Sequence, residues 1–412
     1  MRALGAWRVV ELAAEGTSFA GKLLADLGAD VILVEPPGGS PQRSYGPFLD
    51  DEAGPERSLH WWHYNTSKRS VVLDLQDASS GGGRDVFRRL VASADVLIEA
   101  ERPGDLAELG LDYADLRAQH ADLIHCSITP FGRSGPRSQE HATDLTVLAA
   151  AGPVWSCGYD DHSLPPVRGG GNQGLQTAGV WAAIAVLTAL VHKAETGVGQ
   201  LLDVSMHAAS NVTTELATYG WLAARREVQR QTGRHAAPRP TDPTQVRCAD
   251  GRYLNTGVPP RRPGEFKVLY EWLVELELTE EFPLAVLLEM GGEYEHIGMA
   301  EIEEDPMIGE VFGAGRDAVA LIASRLPAYD AFMGFQRRGI PVGIVYAPED
   351  IMADPHFVAR GFRVEVEHED LGRSFTYPGA AVLLNGSPMT IRGRSPHIGE
   401  HNDEVLTELG QR

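Results

Sequence analysis

The chain has 412 residues, 43% of them hydrophobic and 23% charged, which is the composition of a folded globular protein and not of a disordered or fibrous one; its length suggests two packed lobes. A formal net charge of -21 excludes non-specific binding to nucleic acid or to anionic membrane surfaces, because both need a basic face. Three cysteines, Cys126, Cys157 and Cys248, stand far apart with no CxxC pair, which excludes a disulfide framework and a cysteine zinc site and fits a reducing cytoplasm.

The residues before Arg8 lack the apolar stretch of a signal peptide, so export is not expected. From there short β-branched runs alternate with amphipathic stretches, the pattern of a parallel sheet covered by helices. Strands are expected at Arg8–Leu12, Val31–Glu35, Ser70–Leu75, Asp95–Glu99 and Leu123–Ser127. Between the first two, Phe19, Leu23, Leu24 and Leu27 share one helical face and Gly28 stops the helix. The fold class is therefore α/β with a Rossmann-like large domain, yet no GxGxxG follows the first strand and NAD is not indicated. Gly81-Gly-Gly83 lies far from any phosphate signature and reads as a loop insertion. The Ala-rich run Gly174–Val191 is long enough to raise the question of a membrane span, but its content of Ala, with Gln176 and Thr177, makes it a buried helix. From about Thr213 the texture changes, with a Pro/Arg-rich stretch at Arg234–Pro243, a turn at Asp250-Gly251 and Glu-rich helices, as in a second, smaller α+β domain. Gly339–Val345 and Phe362–Val366 read as strands again, and a short helix is expected around Asp403–Leu409.

Several segments now line up: Leu27–Glu35 (LGADVILVE), Asn65–Asp74 (NTSKRSVVLD), Arg102-Pro-Gly104 with Leu109-Gly-Leu111, and Phe131–Pro136 (FGRSGP). Together they resemble the family III CoA transferases, which include formyl-CoA transferase, the carnitine CoA transferase and α-methylacyl-CoA racemase. The resemblance continues through Thr196–Gln200 (TGVGQ) with Asp203-Val-Ser205, Asp250-Gly-Arg252, Gly339–Gly343 (GIPVG), Asp354-Pro355, Ala359–Phe362 (ARGF) and His397–His401 (HIGEH), and so covers the chain end to end. It implies a large domain over 1–212, a small one over 213–330, and a segment 331–412 returning to the large domain. It also implies an interlocked homodimer, with CoA or acyl-CoA lying over the carboxyl ends of the large-domain strands near the partner's small domain.

In that family an aspartate at the start of a long helix attacks the acyl-CoA thioester, and only a carboxylate can form the resulting anhydride. Counting back from Gln200 and matching Gly179 puts the aspartate's place on Leu175, within Gly169–Gly179 (GGGNQGLQTAG), which holds no acid; a shifted register would reach Asn172, Gln173 or Gln176. The racemase branch uses a histidine directly before the aspartate of its next motif. Here Thr143 precedes Asp144, with His141 nearby. Arg43, Lys68, Arg69 and Arg102 are the candidate partners for the phosphates of CoA, whereas Ala100-Glu101 stands where relatives have Asn-aromatic, and Glu108 where a base is common.

Glu15, after the first strand and before a helix, is a candidate general base or relocated nucleophile, and Asp144 is the other nearby acid. His60 and His63 lack the third ligand a metal would need, so no metal and no tightly bound cofactor is expected. Altered chemistry on an acyl-CoA is the leading expectation, namely hydration or dehydration, lyase cleavage or isomerisation. The alternatives are a CoA transferase whose carboxylate has moved to Glu15, and a non-catalytic acyl-CoA-binding chain or partner of an Asp-bearing paralogue.

Overall fold

The computed structural model describes residues 2–214, 216–257 and 260–410. Two compact units form: the first from residues 1–157, 166–226 and 354–412, the second from residues 158–165 and 227–353. The returning segment therefore starts at Asp354, while Gly339–Val345 contributes its strand, Val342–Ile344, to the second unit.

In the first unit the elements follow as β1 (Arg8–Leu12), α1 (Glu15–Asp26), β2 (Asp30–Glu35), α2 (Leu59–Tyr64), β3 (Arg69–Val72), α3 (Gly83–Ala92), β4 (Val96–Glu99), α4 (Asp105–Glu108), α5 (Tyr113–Arg117), β5 (Ile124–Thr129), α6 (Asp144–Ala151), α7 (Gln173–Thr196), β6 (Leu201–Ser205), α8 (Met206–Val212) and α9 (Leu216–Ala224). The strands form one sheet in the order β3-β2-β1-β4-β5-β6, with every neighbouring pair parallel. Alternate residues of each strand feed opposite faces. Val9, Val31, Val96 and Ile98 meet Ala20, Leu24, Ala178, Ala182 and Val186 on the side of α1 and α7. Val10, Ile32, Val71 and Leu97 meet Phe87, Leu90, Leu106 and Leu116 on the other. A sheet covered on both faces explains the near-continuous apolar strands.

Helix α7 is long and apolar enough to cross a membrane by length and composition, with less than half of that apolar stretch buried. One face lies in the first core through Ala178, Ala182, Val186, Ala189 and Leu190. Gly179 permits this close fit, since a Cβ there would lie 3.0 Å from Phe19 Cβ and 3.2 Å from the Ala20 nitrogen of α1. Contrary to the reading of a buried helix, the opposite face leaves Val180, Trp181, Ile184 and Val191 exposed.

The C-terminal segment closes this unit. A hairpin of Arg363–His368 and Arg373–Pro378 packs Val366 and Tyr377 onto Trp61, Trp62 and Leu33. The final helix, Asn402–Gly410, buries Val405 and Leu409 in the second face's core. His401 Nδ1 and Asn402 Oδ1 accept the outer N–H groups of Ser70 and Val72 at 3.2 and 2.8 Å, so side chains satisfy the edge of β3 and blunt it against strand pairing.

The second unit builds its own core from Phe266, Leu269, Trp272, Leu273, Val311, Ile322 and Phe335. Its antiparallel sheet has the order Val342–Ile344, Tyr253–Thr256, Gln245–Arg247.

Candidate active-site cleft

Strand order reverses between β1 and β4, because β1 leads outward to β2 and β3 whereas β4 leads to β5 and β6. At such a point the connections after the two strands diverge and leave a crevice at their carboxyl ends. A cavity of about 510 Å³ occupies that place, lined by Leu12 and Ala13 at the end of β1, Val34 to Pro37 around the end of β2, Leu73 to Gln76 after β3, and Glu101, Arg102, Asp105, Leu106, Glu108 and Leu109 after β4. The first turn of α1 closes against β4: a Cβ on Gly16 would come within 2.9 Å of the Ala100 Cβ.

Glu15 opens α1 at this edge, exposed and in the first turn, where the helix dipole favours a negative charge. Its carboxylate takes a hydrogen bond from Tyr45, whose phenol is pushed up first by burial and then by that charge. Tyr64 lies beside it at the end of α2. Burial raises the Tyr64 hydroxyl, the Gln176 and Asn172 side chains oppose the rise by hydrogen bonding, and the charges of Asp144 and Glu15 add to it. Its oxygen accepts from Gln176 Nε2 at 2.9 Å. His60 and His63 pack on Tyr64 with ring centroids 4.7 and 4.8 Å away, and burial pushes His63 down to about 4. Glu15, Asp144 and the start of α7 thus surround one tyrosine. Tyr64 and Tyr45 were not singled out in the sequence, although Tyr64 stands directly before the Asn65–Asp74 motif.

Leu175 lies in the first turn of α7, half-buried against the first core. Its N–H donates to Asp144 Oδ1 at 3.0 Å, and Asp144 Oδ2 lies 3.3 Å from Arg168 Nη1. A carboxylate from α6 thereby fills the anion slot that a helix N-terminus offers. Thr143 caps α6 through the N–H of Thr146, and His141 is exposed.

The candidate phosphate partners are not gathered in the cleft. Arg102 alone of them lines it, and its guanidinium is 2.9 Å from Asp105. Arg43 is buried, bound to Glu35 at 2.7 Å and to Glu56 at 2.7 Å, with its guanidinium carbon 3.9 Å above the Trp61 ring. Lys68 and Arg69 stand at the start of β3, where Arg69 pairs with Ile32 of β2. Lys68 Nζ is 2.8 Å from the buried Glu11 carboxylate, and Arg69 reaches Asp30, Glu404 and Glu408 at 2.7 to 2.9 Å. The physical reason is that carboxylates of the fold, Glu35, Glu11, Asp30 and Glu408, already hold these cations. No group of three or more His, Cys, Asp or Glu able to hold a metal occurs among the described residues.

A doubly wound α/β unit with its crevice at the β1/β4 switch and a long helix opening beside it defines the class. The sequence belongs to CoA-transferase family III, which it matches over residues 5–402, a family whose chemistry acts on acyl-CoA thioesters. It is 32% identical over 411 residues to the BbsE subunit of succinyl-CoA:(R)-benzylsuccinate CoA-transferase from Thauera aromatica, covering 98% of this chain and 93% of that one. It is 33% identical to a probable CoA-transferase of Mycobacterium tuberculosis, with 96% of this chain but 46% of the relative covered. A CaiB/BaiF family protein from Brucella suis superposes with a TM-score of 0.76 at 26% identity, covering 98% of each chain.

Proposed function

We propose that this chain is the nucleophile-free member of a two-chain CoA transferase that uses succinyl-CoA, and that the carboxylate carrying the acyl group belongs to a second family III chain. The observation that carries this reading is Leu175 at the helix start: an alkyl side chain there cannot form an anhydride or a CoA thioester, and the neighbouring anion slot is filled by Asp144, which accepts the Leu175 N–H as a cap. The exposed apolar face of α7, with Val180, Trp181, Ile184 and Val191, supports a covering partner. The Thauera aromatica relative is named as a subunit of its CoA-transferase, which supports an assembly with another chain.

The test is to purify the tagged chain from cells that make it, identify what accompanies it, and assay CoA transfer from succinyl-CoA with and without that companion. The expected companion is a family III chain with aspartate at the position of Leu175, and the isolated chain is inactive. Transfer by the isolated chain would contradict the reading.

Glu15 supports a second reading. It is exposed at the carboxyl edge of β1 and hydrogen-bonded to Tyr45, the placement of a general base for hydration, dehydration, lyase cleavage or isomerisation of an acyl-CoA, or of a relocated nucleophile. In that case Glu15→Gln abolishes the activity of the isolated chain.

A further inference from the structure

The cleft at the β1/β4 switch carries the carboxylates of Asp74, Glu101, Asp105 and Glu108 on its lining, besides Glu35, against the single guanidinium of Arg102. Glu35 is neutralised by Arg43, and Arg102 is itself paired with Asp105. Asp74, Glu101 and Glu108 face the cavity with no cation other than Arg102 among its lining residues. Glu101 is fixed there, because its N–H donates to Glu99 Oε2 at 2.6 Å. Its carboxyl is pushed up first by burial and then by the charges of Glu99 and Asp105. Two guanidinium groups touch the backbone of the lining without being part of it: Arg84 Nε donates to the Leu75 carbonyl at 3.1 Å, and Arg88 Nη2 donates to the Leu109 carbonyl at 3.5 Å while its Nη1 lies 3.4 Å from Asp85. Arg137, on a loop tied to Pro103 through Gln139, is bound to Glu140 at 2.7 Å. Arg43 is committed to Glu35 and Glu56, Lys68 to Glu11, and Arg69 to Asp30.

We infer that this chain's cleft excludes CoA by charge, with Glu101 and Glu108 as the excluding residues, and that the CoA thioester of the assembled enzyme is held in the partner's cleft alone. CoA presents a 3′-phosphate and a diphosphate, and a site for such a ligand needs cations or oriented N–H groups where the phosphates fall. Here the walls carry the same sign as the ligand, in a concave site where the low-dielectric surroundings strengthen repulsion. The second half of the inference rests on the two-chain reading and names which chain binds the nucleotide. The exclusion of CoA stands without it. Leu175 and this lining then have one common meaning, since a chain that carries no acyl group need not grip the nucleotide that delivers it.

Calorimetric titration of the isolated chain with CoA, and with adenosine 3′,5′-bisphosphate as a probe of the nucleotide end alone, tests the exclusion. The wild-type chain shows no saturable binding at millimolar ligand, whereas Glu101→Gln combined with Glu108→Lys brings CoA binding into range, tighter by at least about tenfold, which corresponds to about 1.4 kcal/mol, and weakened again by added salt. Glu108 is exposed, so Glu108→Lys alone gives a smaller gain in a chain whose fold is unaffected. Saturable CoA binding by the wild-type chain, lost on blocking the cleft with Ala13→Trp, would overturn the inference, and so would variants that fold normally and gain nothing. Neither result bears on whether the chain carries an acyl group. That is read separately from covalent labelling, so the exclusion and the two-chain reading fail on different measurements.

Discussion

Asp144 holds the N–H of Leu175 at 3.0 Å, so the carboxylate nearest the start of α7 comes from α6 and is committed to a backbone group. A nucleophile must present a free oxygen to the thioester carbon, and Asp144 is oriented instead by the helix N–H on one oxygen and by Arg168 on the other. The mutational expectations follow from this arrangement and from the charge of the cleft.

Leu175→Asp should fold, because a helix N-terminus tolerates an acid, with a loss of about 1–3 kcal/mol for the half-buried leucine. Asp144 alongside raises the new group's pKa through like-charge repulsion. The single variant should yield no hydroxamate when treated with succinyl-CoA and hydroxylamine, since the cleft still excludes CoA. Adding Glu101→Gln and Glu108→Lys should make an adduct at position 175 detectable by peptide mass mapping. An adduct in the single variant would show that the cleft admits CoA.

Arg43 should prove structural. Arg43→Met leaves Glu35 buried without its countercharge, and breaking a buried pair costs about 3–5 kcal/mol. The urea midpoint should fall accordingly. Unchanged stability would mean that the Glu35–Arg43 pair is dispensable to the fold and that Arg43 is free for another duty.

Much of this was legible in the sequence. β1 runs over Arg8–Leu12 as expected, and the expected strands at Val31–Glu35, Ser70–Leu75, Asp95–Glu99 and Leu123–Ser127 all correspond to strands, with ends moved by a few residues. They were legible because strands buried on both faces read as continuous β-branched runs. β6 was not, since Leu201–Ser205 offers only a short run beside the Thr196–Gln200 turn. The face of α7 left exposed was also hidden: Val180, Trp181 and Ile184 are as apolar as the core residues opposite, and composition cannot distinguish core from an uncovered face. The duties of Arg43 and Lys68 were not legible for a related reason. A cation in a matching motif has the same spelling whether it binds phosphate or a buried carboxylate, and only the positions of Glu35 and Glu11 decide between them.

Acid should weaken the first unit in a defined window. His63 is pushed from 6.5 to about 4, by burial first and then by the charges of Lys22 and His60. Between those values the unfolded chain takes up a proton that the native chain refuses, so stability is fully present above about pH 6.5 and declines as pH falls toward 4. His63→Phe removes this contribution. Chemical unfolding at pH 7 and pH 5 should show a smaller difference in the variant than in the wild type, and an unchanged difference would place the titrating group elsewhere.

Trp181→Glu with Ile184→Glu should abolish assembly with the companion chain while leaving the melting temperature of the isolated chain within a few degrees, because both side chains are exposed on α7. Size-exclusion chromatography of co-expressed chains checks this. Retained assembly would move the interface away from α7.

Intact mass measurement of the native complex after brief exposure to isotopically labelled succinyl-CoA and trapping reads out whether this chain carries an acyl group. The label should appear on the companion chain and be absent from this one. Label on Glu15, Asp144 or any other carboxylate of this chain would contradict the account.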